Sequence, residues 1–393
     1  MKKRISVLLL AVFMLLNLCA CGASSEAAQE QAPAPEEKAE EPVVSLSPTE
    51  QLFADAEAGD AEAMSAIGDM YHNGDGVEVD YEEARAWYEK AGDAGYGLAY
   101  LWLGDTYYFT EGNLKDYGKA FEYYSKAAEA GIPDAMGNLG VMYSAGYGVG
   151  QDYKMAVQWY EKAVDAGCAW AARNLGFFYL FGQGGVKADE EKGIELLNTA
   201  AEAGYTDAYS TMGSYYEYRK QDYEKAEEYY LKYADAGNTQ AYYSLGSMFM
   251  YNVKDYDKAV EWLVKASETG NSDAMSHLGD LYAGFWDAKM TDYEKAIEWY
   301  TKSMEAEDPS PYGMVQLAQL YRNGHGVARD YEKALELYNG AVEIWQETDS
   351  RDGFFPITLD FIAEMYQFGL GVKKDPDKAA EYSEWAEELR NSN

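Results

Sequence analysis

The chain is short of positive charge, of histidine and of cysteine. Its 32 lysines and arginines stand against 68 aspartates and glutamates, a formal net charge of −36 at pH 7. That deficit argues against nucleic acid as a partner, because affinity there rests on neutralising phosphates, and it opposes docking onto anionic lipid. The acidic excess favours solubility and biases association toward basic partners. The three histidines, His72, His277 and His325, sit in different sequence contexts, and none belongs to a His-Glu-x-x-His helix. Neither Ser-x-x-Lys nor Gly-x-Ser-x-Gly occurs, which removes two common serine-nucleophile signatures. Acidic runs such as Asp75 to Glu83 lack the spacing of a calcium loop. The expectation is a protein that is not an enzyme, with no catalytic residue, no metal and no cofactor.

What is present is repetition. Seven Asp-Tyr pairs open helix-like phrases at Asp80, Asp116, Asp152, Asp222, Asp255, Asp292 and Asp330, and Asp189 and Asp375 occupy the same frame. Between them recurs Ala-x-x-x-(Leu/Ile)-Gly-x-x-Tyr, with its glycine at Gly68, Gly104, Gly140, Gly176, Gly213, Gly246 and Gly279 and alanine at Ala318 and Ala363. The steps between these positions are 36, 36, 36, 37, 33, 33, 39 and 45 residues. Two helical phrases per period in the mid-thirties predict an all-α, α/α superhelical solenoid of about nine helix-turn-helix repeats. Each aspartate is placed to cap its helix, and most second helices run into a glycine suited to the C′ position, as at Gly95 and Gly131. The first-helix glycine costs about 1 kcal/mol of helix stability relative to alanine, so its repetition calls for a close approach between helices. Gly-x-Gly-Val turns, such as Gly74-Asp75-Gly76-Val77, separate the helices in several units; lacking a preceding strand and a following lysine, they are turns and not phosphate loops. Units five and six shorten this turn, unit seven replaces it with Gly284-Phe285-Trp286, and the segment from Gln346 to Pro356 lengthens the last step. Of the 37 tyrosines, 24 fall in three repeat frames, so their abundance follows from packing.

The first 21 residues form a targeting segment, with Lys2, Lys3 and Arg4 ahead of an apolar stretch from Ile5 to Leu18 that is short for a bilayer span. It ends Leu18-Cys19-Ala20-Cys21-Gly22, which resembles a bacterial lipobox. The resemblance implies a signal peptide over residues 1–20 and a diacylated Cys21 at the mature N-terminus, anchoring the chain to the membrane on its extracytoplasmic side. Cys168 would then be the only unmodified cysteine and no intramolecular disulfide can form; its place at the start of a helical phrase suits a small buried residue. Residues 21–46, rich in Ala, Glu, Pro and Ser, read as a disordered tether with a reach of roughly 25–30 Å. The solenoid occupies residues 47–393, opening on the capping sequence Ser47-Pro48-Thr49-Glu50.

The combined phrases, Leu-Gly-x-x-Tyr, Gly-x-Gly-Val, Asp-Tyr-x-Lys-Ala and Lys-Ala, resemble the Sel-one-like repeat family, a relative of the tetratricopeptide repeat, over about residues 50–390. The resemblance implies an α/α superhelix that acts as an adaptor for protein or peptide partners. Cysteine-rich relatives with a cysteine pair in each repeat are associated with β-lactams; this chain lacks those pairs and that activity is not carried over. Offsets +2, +3 and +6 from the opening alanine of each first helix are expected to point away from the packed face, on the side that lines the concave groove. The candidate partner-binding residues are Asp69, Trp102, Asp105, Asn138, Arg173, Asn174, Phe177, Tyr243, His277 and Asp280. Asn138 and Asn174 share a frame one repeat apart and suit pairing with an extended peptide backbone. The alternative is a glycan- or cell-wall-binding lipoprotein that uses Trp102, Phe177 and Tyr243.

Overall fold

The computed structural model describes residues 46–109, 115–348 and 352–391. The expected signal peptide, Cys21 and the tether up to residue 45 lie outside the described residues. The chain divides into two units, residues 1–50 and 51–393. The described part of the first holds the capping box: Ser47 N–H donates to Glu50 Oε2 at 2.8 Å and Glu50 N–H to Ser47 Oγ at 3.2 Å.

Among the described residues there are nineteen α-helices and no strand. They are α1 (Pro48–Glu57), α2 (Ala61–Asn73), α3 (Tyr81–Asp93), α4 (Gly97–Phe109), α5 (Tyr117–Glu129), α6 (Pro133–Ala145), α7 (Tyr153–Asp165), α8 (Ala169–Phe181), α9 (Glu190–Glu202) and α10 (Asp207–Ser214). There follow α11 (Tyr223–Asp235), α12 (Gln240–Ser247), α13 (Tyr256–Glu268), α14 (Ser272–Tyr282), α15 (Tyr293–Glu305), α16 (Pro311–Asn323), α17 (Tyr331–Glu347), α18 (Phe354–Phe368) and α19 (Pro376–Asn391). The even-numbered helices from α2 to α18 are the first helices of nine repeats and the odd-numbered ones from α3 the second. In the second unit each helix packs chiefly on its neighbours in sequence, as a solenoid requires. All nine frame aspartates cap their helices; Asp80, for example, accepts the amides of Glu82 and Glu83 at 3.0 Å, and Asp375 that of Lys378 at 3.1 Å.

The first-helix glycine is explained by what lies over it. A Cβ on Gly68, Gly104, Gly140 or Gly213 would come within 2.6 Å of the ring of Tyr88, Tyr124, Tyr160 or Tyr230 on the following second helix. Leu197 and Leu263 take the same place over Gly176 and Gly246. The backbone is left bare so that a large side chain can seat on it, and the burial of that ring offsets the propensity cost.

Two local departures are informative. Units five and six do not merely shorten the loop: the last turn of the first helix widens into a π-helix at Tyr215–Lys220 and Met248–Val253. It closes on a left-handed Gln221 (φ 55°) or Lys254 (φ 62°) where other units use glycine. In unit eight, part of the inserted segment is helical, since α17 runs through Gln346 to Glu347. Cys168 is buried at the N-terminus of α8, as its position suggested, and burial pushes its thiol up to about 12.

Candidate functional site

The expectation that offset +6 faces away from the packing fails for the aspartates. Asp69 accepts from the Tyr88 hydroxyl at 2.6 Å, and Asp105 from Tyr124 at 2.7 Å. Asp280 accepts from Tyr300 at 2.7 Å and from Tyr312 at 2.9 Å, and is only 2 % exposed. The reason lies in the glycine: the ring seated on Gly68, Gly104 or Gly279 carries its hydroxyl past the backbone to the next residue, which is the aspartate. Burial raises the pKa of all three carboxyls, Asp105 to about 6 and Asp280 to about 7, with the tyrosine bonds opposing the shift. Asp280 is therefore a packing residue and not part of an open groove.

Trp102 is half-buried against Tyr88 and Tyr96, at ring distances of 6.0 Å in both cases, and borders a shallow pocket with Leu52, Ser65 and Asp69. Tyr243 and His277 meet with ring centroids 5.6 Å apart. His277 Nδ1 is buried without a hydrogen-bond partner, and burial lowers the imidazole pKa, which keeps the ring neutral. Tyr251 and Trp286 extend this cluster, with His277 to Tyr251 at 5.6 Å and Tyr251 to Trp286 at 5.0 Å. Neither was singled out in the sequence, although Trp286 stands where unit seven abandons the repeat turn. Trp102, Phe177 and Tyr243 lie on three separate helices, α4, α8 and α12, and each packs with its own local rings.

Asn138 and Asn174 are brought together. Asn138 lines a cavity of 320 Å³ with Tyr108, Phe109, Tyr124, Val141 and Trp170. Asn174 lines one of 330 Å³ with Val141, Ser144, Tyr153, Tyr160, Phe177, Phe178 and Gln183. Val141 is common to both, so the cavities adjoin along the first-helix side of units two to four. Phe177 and Arg173 are exposed beside them, Phe177 by 39 %. Trp170 was missed in the sequence. Its indole N–H donates to Asp134 Oδ1 at 2.7 Å, and its ring lies over Gly137, where a Cβ would collide with it. The signal was available: the 36-residue separation of Asp134 and Trp170 is one repeat.

Charge is distributed unevenly between the helix types. The first helices of units one to seven hold three lysines or arginines between them, Arg173 on α8 and Arg219 and Lys220 in the π-turn that ends the first helix of unit five. The second helices carry lysines beside their glutamates, as in Glu122–Lys126 at 3.2 Å and Glu298–Lys302 at 2.7 Å. Among the described residues no group of three or more His, Cys, Asp or Glu side chains has metal-holding geometry.

Stacked helical pairs with adjoining polar and aromatic cavities define a helical-repeat solenoid of the kind that typically serves as a protein–protein interaction scaffold. The chain belongs to the Sel1 repeat family, whose model matches nine times, at residues 61–96, 97–132, 133–168, 171–205, 206–238, 239–271, 272–308, 311–342 and 360–389. Members of this family generally bind protein partners, and the fold is generally a non-catalytic scaffold. Among solved structures the chain is similar to a Sel1 repeat protein from Oxalobacter formigenes, at 31% identity over 56% of this chain and 99% of that one, with a TM-score of 0.44. It is also similar to c5321, a protective antigen present in uropathogenic Escherichia coli strains, at 25% identity over 88% of this chain and 90% of that one, with a TM-score of 0.40. A comparison with curated proteins finds no match.

Proposed function

We propose that this chain is a membrane-tethered, extracytoplasmic adaptor that captures a protein partner through an extended peptide segment laid along the first-helix side. The observation that carries this reading is the pair of adjoining cavities around Asn138 and Asn174, which share Val141. An amide in each, at the same place in consecutive repeats, offers a donor and an acceptor to a peptide backbone, while the surrounding rings offer apolar contact to its side chains. The tether and lipid anchor rest on the leader sequence and on Cys21.

The double variant Asn138→Ala, Asn174→Ala tests the site. Cross-linked pull-down from intact cells should lose its partner about tenfold while the helical circular dichroism is unchanged; undiminished capture removes the pair from the site. Cys21→Ala should move the protein from the membrane fraction to the soluble one, and continued firm membrane association refutes the anchor. A glycan-binding reading is favoured by the continuous rings of Tyr243, His277, Tyr251 and Trp286; recovery of polysaccharide in place of a defined protein would support it.

A further inference from the structure

The cavity around Asn138 has a chemistry beyond backbone pairing. Four of its six lining residues are the aromatics Tyr108, Phe109, Tyr124 and Trp170. Phe109 is 70 % exposed at its rim, with Tyr108 stacked edge-on at 4.7 Å. Two of the rings are held from behind by carboxylates: the Tyr124 hydroxyl donates to Asp105 at 2.7 Å and the Trp170 indole N–H to Asp134 at 2.7 Å. A hydrogen bond from the ring's O–H or N–H to an anion makes the π face more negative, and the anions add their own field. Both effects favour a positive guest.

Four of the chain's other eight tryptophans carry a cation of the chain's own. On the second helices Trp87, Trp159, Trp262 and Trp299 each have a lysine ammonium over the ring, Lys90 at 4.0 Å, Lys162 at 3.9 Å, Lys265 at 3.9 Å and Lys302 at 4.2 Å. Among the described residues no lysine or arginine lies over Trp170, and none lines the cavity. The cavity thus has the aromatic walls of a cation site, two carboxylates behind them and, among the described residues, no cation in its lining.

We infer that the Asn138 cavity is an aromatic cage for an organic cation, and that its occupant is a lysine or arginine side chain of the partner peptide. This rests on the adaptor reading for the source of the cation, though not for the chemistry of the cage. The charge asymmetry supports that source: the first helices α2 to α8, which include those framing the cavity, carry Glu62, Asp69, Asp105 and Asp134 against one cation, Arg173, so a basic segment is attracted to that stretch. The chain's own residues 26–42 hold six glutamates and one lysine, so they are not a basic segment of this kind.

The test is calorimetric titration of the purified full-length protein with three probes. These are Nα-acetyl-lysine methylamide, choline, and 3,3-dimethyl-1-butanol, which has the shape of choline without its charge. Both cations should bind, and the neutral alcohol at least about tenfold more weakly. Trp170→Leu should abolish cation binding. Asp134→Asn, which keeps an acceptor for the indole, should weaken it several-fold, and Trp170→Phe should fall between Trp170→Leu and the parent. Equal affinity for choline and its neutral counterpart, or undiminished choline binding by a folded Trp170→Leu protein, overturns the cage. Binding of choline with none of the lysine derivative overturns the side-chain source. The two readings fail separately. If no cation binds while partner capture still depends on the Asn138–Asn174 pair, the cage falls and the adaptor stands; if cations bind while capture ignores the pair, the opposite holds.

Discussion

The first and second helices of this solenoid answer the same problem, a surplus of carboxylates, in opposite ways. On the second helices glutamates pair with lysines one turn on, in water, as in Glu228–Lys232 at 2.6 Å and Glu261–Lys265 at 3.1 Å. On the first helices the aspartates have almost no cation within reach, and their partners are aromatic hydroxyls and an indole. An exposed ion pair is screened and contributes little. A buried carboxylate bonded to a core tyrosine is tied to the packing itself, and its loss exposes two groups to mismatch. The difference teaches that the conspicuous charges of this chain belong to its solvated side. Its informative charges are the few that sit among rings.

The comparison is broken most directly at Tyr300, which is 0 % exposed, seats on Gly279 and donates to Asp280. Tyr300→Ala opens a cavity and removes one of the two tyrosine donors to a buried carboxyl, so it should cost about 3–5 kcal/mol by the scale of aromatic truncations. Urea unfolding gives the total. Amide exchange should quicken mainly in α14 and α15 and their neighbours, because each repeat contacts only those beside it. A loss under about 1 kcal/mol would show that the tyrosine–aspartate pairs are peripheral after all.

Much of this was legible in the sequence, for a physical reason. Caps, C′ glycines and the period are local, set by a few consecutive residues, and Asp80 or Gly95 can be read without knowing what lies across from them. The first-helix glycine announced a close approach, and only the identity of the ring was missing. What could not be read locally were bonds between helices. The side on which Asp69, Asp105 and Asp280 would fall depends on where the next helix places its hydroxyl. There was a trace of it: Leu-Gly-Asp or Ile-Gly-Asp is followed by a mid-helix tyrosine 19 or 20 residues on, at Tyr88, Tyr124 and Tyr300, whereas Gly140 is followed by Val141 and the hydroxyl of Tyr160 turns toward Ser144 and Asn174. The widened turns of units five and six left no such mark, since Gln221 and Lys254 take a conformation that sequence preference assigns to glycine.

A finer test of the buried side is its response to acid. The Asp280 carboxyl titrates near 3.8 when unfolded and is raised by burial to about 7 in the fold. The folded state therefore keeps a proton that the unfolded chain releases. Its contribution to stability is fully present below pH 3.8 and is lost as pH rises toward 7. Asp280→Asn retains an acceptor for Tyr300 and removes the titration. The stability difference, parent minus variant, should grow by on the order of 1–3 kcal/mol from pH 7 to pH 5. A difference that is flat across that range would mean that the buried carboxyl does not gain its proton there, and that the contrast between the two sides is one of geometry alone.

The smallest effect is expected on the solvated side, and it sharpens the contrast by its smallness. Lys302 pairs with Glu298 at 2.7 Å and lies over the Trp299 ring at 4.2 Å, with 45 % of its own side chain and 60 % of its partner's in solvent. Both contacts are screened, and a long side chain must be held still to make them. Lys302→Ala should then cost no more than about 0.5 kcal/mol, and added salt should shrink that cost further. The same ammonium-over-indole arrangement that is worth little here is the one inferred for the Asn138 cavity, where Trp170 is backed by a carboxylate and walled by other rings. If Lys302→Ala cost well over 1 kcal/mol, the exposed cation–ring pairs would be stabilising in their own right, and the second helices could no longer serve as the inert reference against which the first-helix side stands out.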